Sequence, residues 1–141
     1  MRKCLLWALI FPMAIAVSAQ DADEQEIIKI LNNQTFYWNK GDLNNFMNGY
    51  WHNDSLMFVG KTSVTYGYKN ALAHYKETYS DTDKMGKLFF EIQKIRKLSG
   101  EYYFVLGKWF LKRNAGDIGG QYTLLFRKIK GKWMIVSDHS S

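Results

Sequence analysis

Three long segments of alternating apolar and polar residues dominate the second half of this chain, running roughly from Leu88 to Leu98, Tyr102 to Arg113 and Gly120 to Ile129. Turn-forming residues separate them at Ser99-Gly100 and across Asn114 to Gly120, and a third turn at Lys130-Gly131 leads into a fourth strand, Trp133 to Ser137. Neighbouring strands joined by such short links pair antiparallel, because a parallel pair needs a crossover of a dozen or more residues. Upstream the period changes. From Asp23 to Lys40, Ile27, Leu31 and Trp38, with Ile28 and Thr35 beside them, recur at the spacing of one helical face, and Asp23 and Glu24 suit its positive N-terminal end. Gly41 fits the stop, and Asp42 can cap a short second helix over Leu43 to Tyr50. Leu56 to Val59 and Val64 to Tyr66 read as short strands, Lys69 to Tyr79 as a third helix, and Ser80 to Lys84 as a polar loop. Helices first and a meander afterwards predict an α+β domain whose helices cover one face of an antiparallel sheet.

The first nineteen residues stand apart from that pattern. Arg2 and Lys3 precede an apolar run from Leu5 to Val17, and Val17-Ser18-Ala19 supplies the small residues of a secretory cleavage site, so a signal peptide over residues 1–19 and cleavage before Gln20 are expected. The run is shorter than the roughly 20 residues of a spanning helix, and Pro12 interrupts it, so no membrane association is expected after cleavage. The implied location is the periplasm or the exterior. Residues 20–141 then form one domain by length. The only cysteine, Cys4, leaves with the signal, which excludes disulfide and thiolate chemistry. Removing Arg2 and Lys3 from the 19 basic side chains leaves 17 against 13 acidic, a formal charge of +4 spread over many segments. Such scattered charge on an exported chain argues against nucleic acid as a partner.

The order of elements, with the strings Trp38-Asn39-Lys40-Gly41-Asp42, Ser55-Leu56-Met57-Phe58-Val59-Gly60, Gly107-Lys108-Trp109 and Trp133-Met134-Ile135-Val136-Ser137-Asp138-His139-Ser140-Ser141, resembles the nuclear transport factor 2-like superfamily, in its SnoaL-like and kinase-association-domain-like branch. The resemblance covers nearly all of residues 20–141. It implies a cone, a curved antiparallel sheet wrapped around the long first helix and open at one end to an apolar pocket, and it implies a homodimer formed through the sheet. The superfamily holds isomerases, cyclases and dehydratases together with scaffolds that catalyse nothing, so the fold does not choose the activity. Its isomerases use a pocket carboxylate as base, and no residue here matches that position. The cyclase pattern of a deep aspartate or histidine can be met by Asp54, Asp138 or His139.

Alternation along Tyr103 to Arg113 puts Tyr103, Val105, Gly107, Trp109, Leu111 and Arg113 on one face and Lys108 and Lys112 on the other, which makes the Trp109 face the concave one. Arg113 would then reach the pocket's end, where either a carboxylate of Asp54, Glu91 or Asp138 or an anionic ligand must answer its charge. The same rule separates Trp133, Ile135, Ser137 and His139 from Met134, Val136 and Asp138, and pattern does not decide which of His139 and Asp138 turns inward. Either could move a proton there, with Tyr66 or Arg113 holding the resulting oxyanion. Trp38, Trp51, Tyr66, Tyr75, Tyr79 and Trp109 are core residues or, in the cone, lining residues for a small, partly apolar ligand. His52 and His74 have no second ligand at metal spacing, so no metal site is expected. Gly119-Gly120 precedes a strand rather than a helix and no serine occupies a nucleophile elbow, so no cofactor is expected either.

Overall fold

The computed structural model describes residues 19–141, with side chains described from Ala22 onward. The signal segment expected over residues 1–19 therefore lies outside them, apart from the Ala19 backbone. Helix α1 (Ala19–Asn39) is followed by α2 (Leu43–Phe46), a 3-10 turn (Met47–Gly49), strands β1 (Met57–Val59) and β2 (Val64–Tyr66), helices α3 (Tyr68–Thr78) and α4 (Thr82–Met85), and strands β3 (Lys87–Lys97), β4 (Tyr102–Lys112), β5 (Ile118–Ile129) and β6 (Lys132–Ser140). The strands form one curved, unclosed sheet in the order β2-β1-β6-β5-β4-β3, antiparallel throughout except for the parallel pair β1 and β6. No described helix is long and apolar enough to cross a membrane.

Helix α1 packs as its period dictates. Ile27, Leu31, Gln34 and Trp38 are buried in steps of four, three and four residues, so one stripe meets the sheet. Its C-terminal end is tied to β3 by Asn39, whose Oδ1 accepts from the Leu88 N–H at 2.8 Å and whose Nδ2 donates to the Leu88 carbonyl at 3.2 Å. Asp42 caps α2 by accepting from Asn45 N at 3.0 Å. The segment expected as a polar loop from Ser80 holds α4 instead, because Asp81 accepts from Lys84 N at 2.9 Å and closes a turn too short for a periodic signal. Lys130 and Gly131 both have positive φ, 49° and 78°, the geometry of the two-residue hairpin turn whose twist matches its strands.

At its other end α1 is clamped to the β5–β6 hairpin. Asp23 Oδ1 accepts from Lys128 Nζ at 3.0 Å and from Trp133 Nε1 at 2.9 Å, and those bonds hold its carboxyl below the usual aspartate range. Removing the carboxylate leaves the indole N–H of Trp133, a residue 2% exposed, without its acceptor. Asp23→Ala should cost about 1–2 kcal/mol of folding stability, read as a lower urea midpoint with an unchanged slope. An unchanged midpoint would mean that the clamp contributes nothing.

Candidate functional site

The polar cluster at the end of the chain is where the sheet departs from simple alternation. Strand β6 does not stop before it but pairs with β5 as far as Ser140. Leu125 pairs with Ser137 and Phe126 with Ile135, so Val136 is an extra residue with no opposite number, a β-bulge. Trp133 and Ile135 face the core before the bulge, and Asp138 faces it afterwards, while His139 is exposed on the other side. The bulge thus reverses the phase of the strand.

Asp138 is 3% exposed. Tyr50 Oη donates to its Oδ2 at 2.6 Å, and Ser140 Oγ donates to its Oδ1 at 2.8 Å. Tyr50 is delivered by the segment after α2, whose backbone joins the sheet where Trp51 N–H donates to the Ile135 carbonyl at 2.9 Å, next to the bulge. The Tyr75 hydroxyl lies 3.5 Å from that of Tyr50. Burial pushes the Asp138 carboxyl up to about 6, against the opposing pull of the bonds from Tyr50 and Ser140 and of nearby His139. Burial and the carboxylate together push the Tyr50 and Tyr75 phenols well above the usual tyrosine value. Asp138 forms no ion pair among the described residues.

This carboxyl lies at the wall of a cavity of about 90 Å³. Helix α1 contributes Gln34 and Trp38; Phe46, Tyr50 and Phe58 follow; α3 presents His74 and Tyr75, with Tyr79 just beyond it; and β3 to β6 supply Leu88, Phe90, Trp109, Leu111, Tyr122, Leu124, Asp138 and Ser140. Tyr122 stands between Gly107 on β4 and Ser140 on β6 in the cross-strand register. Its phenol occupies the space over Gly107 that any side chain there would fill. The Tyr122 hydroxyl and the Trp109 indole N–H are buried with no hydrogen-bond partner among the described residues. Gln34 is 2% exposed, and among the described residues its amide makes one bond, from Nε2 to the Phe46 carbonyl at the long distance of 3.5 Å.

Of the residues singled out from sequence, Trp38, Tyr75, Tyr79, Trp109 and Asp138 line the cavity together, and Trp51, Tyr66, Arg113 and His139 do not. Tyr66 is on the short edge strand β2 and is 60% exposed. Trp51 is half-buried beyond the lining. Arg113 leaves the strand: its Nε donates to the Gly116 carbonyl at 2.7 Å and its Nη1 to the Lys84 carbonyl at 3.3 Å, which answers a guanidinium without a carboxylate. Glu91, one of the partners expected for it, faces Lys108 at 3.8 Å instead. Gln34, Tyr50 and Tyr122 were not singled out. Gln34 carried a legible signal, a polar residue on the buried stripe of α1, whereas Tyr50 reaches Asp138 across 88 positions of sequence.

No protein-family model matches the chain, and no curated protein matches it. Among solved structures, a nuclear transport factor 2-like protein of unknown function from Shewanella oneidensis is 39% identical, with a TM-score of 0.81 over 84% of this chain and 98% of that one. A domain of unknown function with a cystatin-like fold from Nostoc punctiforme is 16% identical, with a TM-score of 0.72 over 85% of this chain and 78% of that one. A ketosteroid isomerase-like protein from Erwinia carotovora is 17% identical, with a TM-score of 0.65 over 83% and 93%. At those last two identities the likeness is one of fold.

Proposed function

The chain belongs to the nuclear transport factor 2-like superfamily, and we propose that it uses the open end of that fold to bind a compact, partly apolar molecule, with Asp138 as the polar contact. The observation that carries this reading is a carboxyl 3% exposed at the wall of an aromatic cavity of about 90 Å³. A buried ionisable group is costly to keep, and a core built only for stability would replace it with an apolar residue. The cavity is small beside the roughly 300–1,000 Å³ of sites for drug-sized ligands, which favours a compact occupant. The test is native mass spectrometry of the protein recovered from its own host, followed by denaturation and identification of what is released. A stoichiometric small molecule, absent from an Asp138→Leu preparation, is the expected result. An empty wild-type protein would overturn the reading.

A second reading, cofactor-free proton transfer by Asp138, is favoured by the carboxyl's rise to about 6, close to where a general base works best. Its test is turnover of the released molecule, which Asp138→Asn should abolish while leaving the fold intact. The bulge supports Asp138 rather than His139 for that role. Export rests on the charged and apolar pattern of the first nineteen residues, and N-terminal sequencing of the secreted protein should begin at Gln20. Homodimerisation is supported by Phe89 and Phe110, 54% and 43% exposed and paired side by side on the outer face of β3 and β4. Sedimentation equilibrium should give twice the chain mass, and a monomer at high concentration would remove that part of the proposal.

A further inference from the structure

The walls of the cavity carry a charge pattern that narrows the class of occupant. Among the described residues no lysine or arginine lines it, and the one acidic group there, Asp138, has hydrogen bonds from two neutral hydroxyls but no cation. The remaining surface is largely aromatic. Trp38, Phe46, Tyr75 and Tyr79 meet mainly edge to face, with centroids 4.8 to 6.1 Å apart, and Trp109 and Phe90 stand opposite each other on paired strands. Aromatic faces are negative in their quadrupole and attract a desolvated cation within about 6 Å of the ring centre. A carboxylate has about four acceptor sites, and Tyr50 and Ser140 use one each. The acceptor of the Gln34 amide adds to the same pattern, since no hydrogen bond to it forms among the described residues.

We infer that the cavity receives a compact organic ammonium ion, its charge answered by Asp138 and its alkyl groups lying against the surrounding rings. The inference rests on the small-molecule reading above and names its ligand class. An anion would meet a carboxylate with no lysine or arginine among the described lining residues to offset it. A neutral hydrocarbon would leave that carboxylate buried and unanswered. The ammonium answers both the charge and the ring faces, and its N–H bonds, or the polarised N-methyl groups of a quaternary ion, meet the open oxygen sites of Asp138 and Gln34.

Binding should weaken as pH falls through the Asp138 transition, because a protonated carboxyl no longer attracts the cation. The groups around Asp138 are Tyr50 from the segment after α2, Tyr75 and the cavity-lining His74 from α3, Tyr122 from β5, Ser140 on its own strand, and His139 on the outer side of that strand.

The experiment compares choline with 3,3-dimethyl-1-butanol, which keeps the shape and the hydroxyl and removes the charge. Titration calorimetry at pH 7.5, paired with Trp38 and Trp109 fluorescence, should give at least tenfold tighter binding of choline to the wild-type protein. Asp138→Asn should bring the two affinities within about twofold of each other, and Trp109→Leu should weaken choline more than the alcohol. Equal binding of both compounds to the wild type would overturn the cation inference and leave the pocket reading standing. No binding of either would overturn the inference too, and the native mass spectrum of the host-purified protein then decides the pocket reading by itself.

Discussion

Gly107→Ala is expected to lower folding stability by about 3 kcal/mol or more, because the added methyl has no room in the packed centre of the sheet. A Cβ at position 107 would overlap the Cζ and hydroxyl of Tyr122 and would sit 2.6 Å from the Glu91 carbonyl oxygen. Neither neighbour can step aside at low cost. The Tyr122 ring is 3% exposed among buried residues, and the Glu91 carbonyl belongs to β3, whose ladder to β4 is set by the pairs on either side. For a domain of this size the loss corresponds to a fall in Tm of roughly 10 °C or more. Gly100→Ala is the control, since nothing lies within 4 Å of the methyl it would add. If Gly107→Ala matches Gly100→Ala, the packing of the Tyr122 ring over β4 is not as tight as described.

Stability should also fall as the solution is taken from pH 4 to pH 7, and Asp138 should be the reason. Its folded-state carboxyl lies at about 6 against the ordinary 3.8, so between those values the folded state holds a proton that the unfolded chain has released. Folding is then coupled to proton uptake. The stabilisation is complete below about pH 4 and is lost as pH rises through about 6, for a total of about 3 kcal/mol. Asp138→Asn removes this slope: the variant should equal the wild type near pH 4 and exceed it at pH 7.5 in urea denaturation. Asp23 works in the opposite sense and in a lower window, because its lowered value makes its contribution present above 3.8 and lost in stronger acid. It is common to both proteins, so the difference between their curves isolates Asp138. A wild-type profile that runs parallel to that of Asp138→Asn from pH 4 to 7.5 would place the Asp138 carboxyl in an ordinary aqueous environment.

The two predictions meet at one row of the sheet. Tyr122 pairs with Gly107 on one side and Ser140 on the other, and Ser140 in turn holds Asp138. A methyl at 107 therefore presses the phenol toward the carboxyl's own support. Loss of the proposed ligand binding should accompany loss of stability in Gly107→Ala, whereas Asp23→Ala, whose clamp lies at the far end of α1, should lose stability alone.

The amino-acid sequence by itself determined the order of the six strands and of helices α1 to α3, the buried stripe of α1 and the inward set of β4. Those features depend on counting residues along one element, with period 3.6 in the helix and 2 in the strand, and Ile27, Leu31, Trp38, Tyr103, Val105 and Trp109 all obey the count. Arg113 obeyed it only up to the last residue of the strand, since a turn that bonds its own guanidinium to Gly116 took the side chain elsewhere. The choice between Asp138 and His139 belonged to the tertiary structure. It is made at Val136, where β6 gains one residue against β5, and such a bulge is a property of two strands in register that neither strand carries alone. Tyr50 comes to Asp138 for the same kind of reason: a segment 88 positions away joins the sheet at Ile135, and only the folded chain brings a phenol within 2.6 Å of a carboxylate that local pattern left facing either way.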